Sequence, residues 1–331
     1  MAQTFSPARP PSRRSFLAVA AGMAGCALAS RAFAWPQQPI RILVAYPPGG
    51  LSDEIARSIA RQLSAQLDNA VVVQNRAGAG GTIAMGALAR SPPDGHTLCF
   101  SAISPLVLSP LLGPVSYDPQ RDIAAVISVM VTPVLVIGTP AFTGTDFADL
   151  LAQAKARPGA LRWATSGRGT LGHIVAKLVA LHGGIRITHI PYKGGGPQLT
   201  DALGGQFELL STNVAPLQLR HVARGRFKPL AVGAPSRLAV LPEVPTLAEL
   251  GFPEANLTSV FGLFAPAATP DAVLTTLNAE LDRIVAQPQI RGRLLAANNV
   301  PTGGSREDFS RLIAEQSRSF RRLFESDKPD R

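Results

Sequence analysis

The sequence predicts an α/β protein, and three observations support that class. Short apolar runs of β type alternate with helical patterns along most of the chain, an order typical of parallel sheets with helices on both faces. Of the 331 residues, 46% are hydrophobic and 16% charged, a composition typical of a packed globular protein rather than a disordered one. A unit of strand, glycine-rich turn and helix recurs along the chain.

Ten apolar runs are predicted to form strands, and three helices have ends that the sequence marks. The strands are 41–45, 70–74, 97–101, 125–130, 134–137, 161–164, 187–190, 207–210, 230–232 and 259–264. Thr145 is predicted to cap a helix over 146–156, and Pro270 to open a helix that runs to about residue 286. Ser305 and Asp308 form a capping-box pattern at the start of the last helix.

The first 34 residues have the pattern of an export signal. Arg13-Arg14 precedes an apolar segment over 16–28, and Ala32-Phe33-Ala34 is a small-x-small cleavage site. We therefore expect a periplasmic protein whose mature chain starts at Trp35, with the twin-arginine and the general secretory routes both open. A second interpretation makes Cys26 a lipid anchor in a weak lipobox.

The charge of the chain does not indicate a nucleic-acid partner. The net charge is +10, but four of these charges lie in the first 34 residues, which carry no acid. The remaining +6 is spread along the chain, and no basic cluster is interleaved with aromatic side chains. We expect a mildly basic protein that binds no nucleic acid.

Four glycine-rich turns each stand between a predicted strand and a predicted helix. In chain order these first to fourth glycine turns are 47–50, 78–81, 166–170 and 192–196. The first N–H groups of a helix have no acceptor within the helix, and the helix dipole adds to their attraction for anions. Because the carboxyl ends of parallel strands meet at one edge of a sheet, the four turns predict several helix N-termini around one anionic ligand.

Motifs for catalysis, cofactors or metals are weak by comparison. Residues 167–172 fit the G-x-G-x-x-G pattern of dinucleotide folds, but the next predicted strand ends near Ile190 without the acid that would hold a ribose. The chain has no P-loop motif, and its five histidines lack a metal-binding spacing. Cys99 lies in a strand-like run and is expected to be a small core residue. We expect no catalytic residue, no cofactor and no metal.

Two side chains at helix starts have alternative interpretations. Asp53 lies in the first turn of the first helix, where it favours the dipole, braces the first glycine turn or orders a bridging water. A supporting role is favoured, because a carboxylate aimed at an anion would repel it. His173 follows the third glycine turn and is expected either beside the ligand or at a helix start without any contact.

Further motifs occur in a consistent order across residues 36–326. They are Pro48-Gly49-Gly50 with Asp53, Asn75-Arg76-Ala77-Gly78-Ala79-Gly80-Gly81, Pro93-Asp94-Gly95-His96-Thr97-Leu98, Tyr117-Asp118-Pro119, Pro191-Tyr192-Lys193-Gly194, Leu241-Pro242-Glu243-Val244-Pro245-Thr246 and Phe261-Gly262-Leu263-Phe264-Ala265-Pro266. Each motif is weak alone. Together they resemble the Bug receptors, the TctC-like solute-binding proteins of tripartite tricarboxylate transporters.

The resemblance implies a type II periplasmic-binding-protein fold, in which two α/β lobes close on a ligand in the cleft between them. The lobes are expected at 35–137 plus 258–331 and at 138–257. The resemblance also implies a receptor that is not an enzyme, a small carboxylate as ligand and the membrane subunits of a tripartite transporter as partners, and we expect a monomer. The ligand-binding residues carried over by motif are Tyr46, Pro48, Gly49, Gly50, Asp53, Ala79, Gly81, Ser104, Ser166, Gly169, Thr170, His173, Tyr192, Lys193 and Asn213.

Two departures from the family pattern leave the specificity open. Ser211-Thr212-Asn213 stands where the family often has F-D-N, so the acid is absent, and Leu51 replaces the small residue often found after the glycines. Mono-, di- and tricarboxylates and a neutral amide such as nicotinamide all stay open as ligands. Two alternative functions also stay open, a ligand-loaded partner of a sensor kinase and an exported enzyme.

Overall fold

The structure, a computed structural model, describes residues 35–326, and its elements alternate as the sequence predicts. The predicted leader, its cleavage site and Cys26 lie outside the described residues. The strands are β1 (Ile40–Val44), β2 (Val71–Asn75), β3 (Thr97–Ala102), β4 (Ile123–Gly138), β5 (Arg162–Thr165), β6 (Thr188–Pro191), β7 (Leu209–Asn213), β8 (Lys228–Gly233), β9 (Thr258–Pro266) and β10 (Val300–Pro301). The α-helices are α1 (Leu51–Leu67), α2 (Thr82–Ala89), α3 (Ser104–Val107), α4 (Ser109–Leu112), α5 (Phe147–Ala156), α6 (Leu171–His182), α7 (Gly195–Leu203), α8 (Pro216–Ala223), α9 (Asp271–Ala286), α10 (Pro288–Ala296) and α11 (Arg306–Ser326).

Within the described residues the strands form one mixed sheet. Its order is β2-β1-β3-β9-β4-β7-β5-β6, and β8 and β10 also pair with β4. β1 pairs in parallel with β2 and β3, and β5 pairs in parallel with β6 and β7. β4 is antiparallel to β7, β8, β9 and β10, and β9 is antiparallel to β3. The prediction of parallel sheets therefore fails at the centre of the sheet, because a fully apolar run does not reveal the direction of a strand.

The two strands predicted at 125–130 and 134–137 are a single strand, β4. Pro133 stands between the two predicted strands, and proline cannot donate to a ladder. Pro133, however, lies where β4 changes partners, from β9 before it to β7 and β8 after it. A missing N–H at the changeover does not interrupt either ladder. The predicted division into lobes has boundaries near this changeover and stays a prediction.

The core forms where apolar positions face the sheet. Ile40 and Ile42 to Val44 are buried in β1, while Arg41 between them is exposed. α1 buries Ile55, Ile59 and Leu63, which are spaced by four residues, and packs on β1, β2 and α9. Cys99 is fully buried, as predicted, and burial raises the pKa of its thiol. Among residues 35–326, no helix combines the length and apolarity that crossing a membrane requires.

Helix caps agree with the sequence at the last helix and differ at α5. The N–H of Asp308 donates to Ser305 Oγ at 3.0 Å, and the Ser305 hydroxyl donates to the Asp308 carboxylate at 2.7 Å. At α5 the N-cap is Asp146, whose carboxylate accepts the N–H of Asp149 at 2.9 Å. Thr145 instead donates its N–H and its hydroxyl to Asp149. The prediction of Thr145 as the cap is wrong because the better acceptor stands one residue later.

Candidate ligand-binding site

The structure brings the four glycine turns together as two facing pairs. Each turn leads into a helix, α1, α2, α6 and α7 in chain order. A β-carbon built on Gly194 would lie 2.4 Å from Cδ of Pro47, so the fourth turn faces the first. A β-carbon built on Gly80 would lie 2.5 Å from the carbonyl oxygen of Arg168, so the second turn faces the third. Only glycine allows such close backbone approaches.

The carboxylate of Asp53 ties the first glycine turn to α1 and β2. Its Oδ2 accepts the N–H of Gly49 and Nε of Arg57, each at 3.0 Å, and its Oδ1 accepts Nδ2 of Asn75 at 2.8 Å. Burial alone would raise the pKa of Asp53, but the hydrogen bonds from Arg57, Gly49 and Asn75 outweigh it, and the pKa lies below its usual value. Asn75 also donates to the carbonyl of Tyr46 at 3.0 Å. These are the contacts of a side chain that braces the first glycine turn.

The third glycine turn is closed by its own side chains. The Thr170 hydroxyl donates to the carbonyl of Gly167 at 2.7 Å, and Thr170 is buried. The N–H of Gly169 donates to Nδ1 of His173 at 3.2 Å. The alternative in which His173 makes no contact is therefore wrong, because the turn donates to its Nδ1. A place beside the ligand stays a prediction.

His173 and His189 form a stacked pair beneath the third turn. Their ring centroids are 4.2 Å apart, and His189 Nε2 lies 2.7 Å from the Thr165 hydroxyl. Burial lowers the pKa of His173 to about 4, with further lowering by His189, Arg168 and Lys177. The pKa of His189 is lowered first by burial and then by Arg168. Both rings are therefore neutral at neutral pH, and neither supplies a positive charge to an anion there.

His173 is expected to make the protein less stable as the pH falls. Its pKa is below 6.5 in the folded protein, so the unfolded chain binds more protons, and the free energy of unfolding decreases from about pH 6.5 down to about pH 4. His173→Gln keeps an acceptor for the Gly169 N–H. In this variant the free energy of unfolding, measured with urea at several pH values, should decrease less between pH 6.5 and pH 4. His182→Gln, at the exposed end of the same helix, is the control and should keep the full decrease. Equal slopes for both variants would contradict the assignment to His173.

The other predicted side chains are placed in different ways. The Tyr46 hydroxyl accepts the N–H of Ala102 at 3.1 Å, and burial raises the pKa of Tyr46 to about 12. The Tyr192 hydroxyl donates to Asp201 at 2.7 Å, and Asn213 Oδ1 accepts the Ser259 hydroxyl at 2.7 Å. The Tyr192 hydroxyl proton and Asn213 Oδ1 are thus engaged within the protein. Of the rest, Ser104 and Gly81 are buried, Ser166 is half-buried, and Pro48, Gly50, Ala79 and Lys193 are exposed.

Two serines near the glycine turns were missed by the sequence reasoning. Ser101 Oγ lies 3.3 Å from a β-carbon built on Gly81, and Ser109 Oγ lies 2.7 Å from one built on Gly169. Both belong to the segment at the carboxyl end of β3, in which the sequence predicts only Ser104 as a ligand-binding residue. The position of this segment, at the same sheet edge as the glycine turns, is the signal that could have found them.

Ser211, in the segment that departs from the expected pattern, has a structural role. The indole N–H of Trp163 donates to Ser211 Oγ at 3.1 Å, and the Ser211 hydroxyl donates to the carbonyl of Gly172 at 2.6 Å. All three positions are buried. Gly172 lies in the first turn of α6, so this chain of hydrogen bonds fixes the helix that carries the third glycine turn.

Two cavities stand out, and one of them touches the turns. A cavity of about 380 Å³ is lined in part by Ala79 of the second turn and by Arg168 and Gly169 of the third. A larger cavity of about 670 Å³ lies elsewhere, among α3, α4, the start of β4 and α11. The described residues contain no group of three or more His, Cys, Asp or Glu that could hold a metal ion.

Comparison with known proteins places this geometry in context. The family model described as tripartite tricarboxylate transporter family receptor matches residues 55–327. The protein BugT of Bordetella pertussis is 35% identical over 295 residues, which cover 88% of this chain and 90% of BugT.

Two solved structures are similar along most of the chain. Rpa4515 of R. palustris, solved with adipate, has a TM-score of 0.81 at 31% identity and covers 87% of this chain and 97% of its own. MatC of Rhodopseudomonas palustris, with bound malate, has a TM-score of 0.82 at 26% identity and covers 88% of this chain and 100% of its own.

Proposed function

The chain belongs to the tripartite tricarboxylate transporter receptor family, and we propose that it captures a small carboxylate between its paired glycine turns and delivers it to membrane transporter subunits. The family is one of periplasmic solute-binding receptors rather than enzymes. The fold, a mixed α/β sheet like that of periplasmic binding proteins of this type, is the scaffold for such a site.

The observation that carries the proposal is the pairing of the turns. Four helix N-termini are concentrated where two pairs of turns approach within van der Waals distance, and a carboxylate is an anion that such N–H groups and dipoles hold well. Similar proteins have been solved with adipate and with malate, which supports a carboxylate over a neutral amide. The protein makes and breaks no bond; its work is to enclose the ligand by hinge closure.

The predicted site residues divide into two proposed roles. Direct contact is assigned to exposed or half-buried turn residues and to the buried residues Gly81, in the second turn, and Ser104, at the start of α3. The full set is Pro48, Gly49, Gly50, Ala79, Gly81, Ser104, Ser166 and Lys193. Support is assigned to residues whose side chain or backbone N–H is already bonded within the protein, namely Tyr46, Asp53, Gly169, Thr170, His173, Tyr192 and Asn213.

Delivery and export complete the proposal. A receptor of this family presents its ligand to membrane subunits, so we propose that partnership for this chain, acting as a monomer. The first 34 residues are proposed to be an export signal, by the twin-arginine or the general secretory route, on the strength of Arg13-Arg14 and Ala32-Phe33-Ala34.

Thermal unfolding with a ligand panel tests the capture step. The protein is unfolded and refolded to remove bound ligand, then heated alone and with mono-, di- and tricarboxylates and with nicotinamide. A ligand at about a hundred times its Kd adds about 2.7 kcal/mol to the free energy of unfolding, because it binds only the folded state. We expect at least one carboxylate to raise the midpoint. The proposal is contradicted if only nicotinamide raises the unfolding midpoint, or if none of the compounds does.

A further inference from the structure

The cavity of about 380 Å³ beside the second and third glycine turns combines one cation and two hydroxyl side chains with a largely apolar wall. It is lined by Ala79, Thr82, Ser109, Leu112, Gly113, Pro114, Val115, Arg168 and Gly169. None of these described residues is acidic, so the charge of Arg168 is not offset within the lining. A wall of this kind suits an anionic group at the end of a short apolar chain.

Ser109 is the hydroxyl residue of this cavity whose oxygen is unpartnered, whereas the Thr82 hydroxyl donates to the carbonyl of Ala79. Ser109 is 9% exposed, and its Oγ has no hydrogen-bond partner among the described residues. The same oxygen lies 2.7 Å from a β-carbon built on Gly169, so it is aimed at the third glycine turn. A buried hydroxyl without a hydrogen-bond partner destabilises the folded protein, and a ligand oxygen in the cavity would supply the missing partner.

The guanidinium of Arg168 has N–H donors that no described residue accepts. Its Nη2 donates to the carbonyl of Leu112 at 3.4 Å, near the limit of a hydrogen bond, so the side chain extends from the third turn to the end of α4. No carboxylate of the described residues forms an ion pair with it. A guanidinium carries five N–H donors in a planar fork that matches a carboxylate.

We propose that Arg168 and Ser109 form a second carboxylate subsite, which makes the protein selective for dicarboxylates with a short apolar spacer. The inference rests on the proposed function, because the first carboxylate is held by the glycine turns. Ala79 and Gly169 belong both to the turns and to this cavity, so one ligand spans the two places. The apolar side chains of Leu112, Pro114 and Val115 then face the methylene groups.

Matched ligands separate this subsite from the turns. Adipate and hexanoate have six carbons each and differ in the second carboxylate, and calorimetry gives the Kd of both. We expect wild-type protein to bind adipate more tightly, and Arg168→Gln to weaken adipate binding about 10- to 100-fold, the usual value of hydrogen bonds to a charged group. Ser109→Ala should weaken it less. Hexanoate binding should change less than about threefold in either variant, and it reports that the variant is folded.

Arg157→Gln is the control for the loss of one charge, since Arg157 is exposed at the end of α5 and is not part of the cavity lining. It should bind adipate like the wild type. If Arg168→Gln weakens the binding of adipate and of hexanoate equally, or weakens neither, the proposal of a second subsite is wrong although the proposed function stands. If wild-type protein binds no carboxylate of the ligand panel, the proposed function itself fails.

Discussion

Replacing Gly80 with alanine is expected to lower the affinity for a carboxylate ligand about 10- to 100-fold. The new β-carbon would lie 2.5 Å from the carbonyl oxygen of Arg168, a backbone atom that cannot rotate away. The second and third glycine turns would have to separate, and overpacking of this kind costs about 1–3 kcal/mol. Calorimetry with the carboxylate that gives the largest thermal shift measures the effect.

Gly225 provides a matched control for this variant. Gly80 has φ +64° and Gly225 has φ +66°, but a β-carbon built on Gly225 meets no atom within 4 Å. Alanine in this left-handed conformation costs about 1–2 kcal/mol in either place, so Gly225→Ala measures the effect of the backbone conformation alone. Only Gly80→Ala should lose affinity. Equal affinities in the two variants would show that the contact between the turns plays no part in binding.

The strands and helices could be predicted because apolar periodicity and turn residues are local signals. The same signals do not carry strand direction, so the antiparallel pairing of β4 and β9 was beyond them. Pro133 illustrates the limit. Two strands are predicted, one on either side of it, and only the pairing partners reveal one strand that passes from β9 to β7 and β8 at that residue.

The candidate site was predictable where backbone geometry forms it and less so where side chains do. The glycine turns can be recognised in the sequence itself, and their convergence follows from the topology of the sheet. Whether a side chain points toward the ligand or back into the protein depends on neighbours that are distant in sequence. Tyr192 bonds to Asp201, and Asn213 to Ser259, 46 residues away. Ser109 was missed for the same reason, since only the fold places it against Gly169.

Asp53→Ala is expected to lower the free energy of unfolding by about 3 kcal/mol. The substitution removes the acceptor of three donors, the Gly49 N–H, Arg57 and Asn75, and hydrogen bonds to a charged group contribute about 1.5–3 kcal/mol each. Arg57 is 43% exposed, so solvent screens its share. Because the folded pKa of Asp53 is lowered, this stabilisation is present at neutral pH and is lost as the pH falls below about 3.8. Urea unfolding at pH 7 and pH 3 measures both effects.

Asp149 separates the bracing of a glycine turn from the general effect of an acid at a helix start. Each carboxylate accepts the N–H of the residue four positions earlier, Gly49 for Asp53 and Thr145 for Asp149, and each lies in the first turn of a helix. Asp149→Ala should lose less stability and keep its affinity for a carboxylate ligand, because Thr145 belongs to none of the glycine turns. Asp53→Ala should also bind that ligand more weakly, since the first turn loses the group that fixes it. If Asp53→Ala binds as tightly as Asp149→Ala, the carboxylate of Asp53 stabilises the fold without shaping the site.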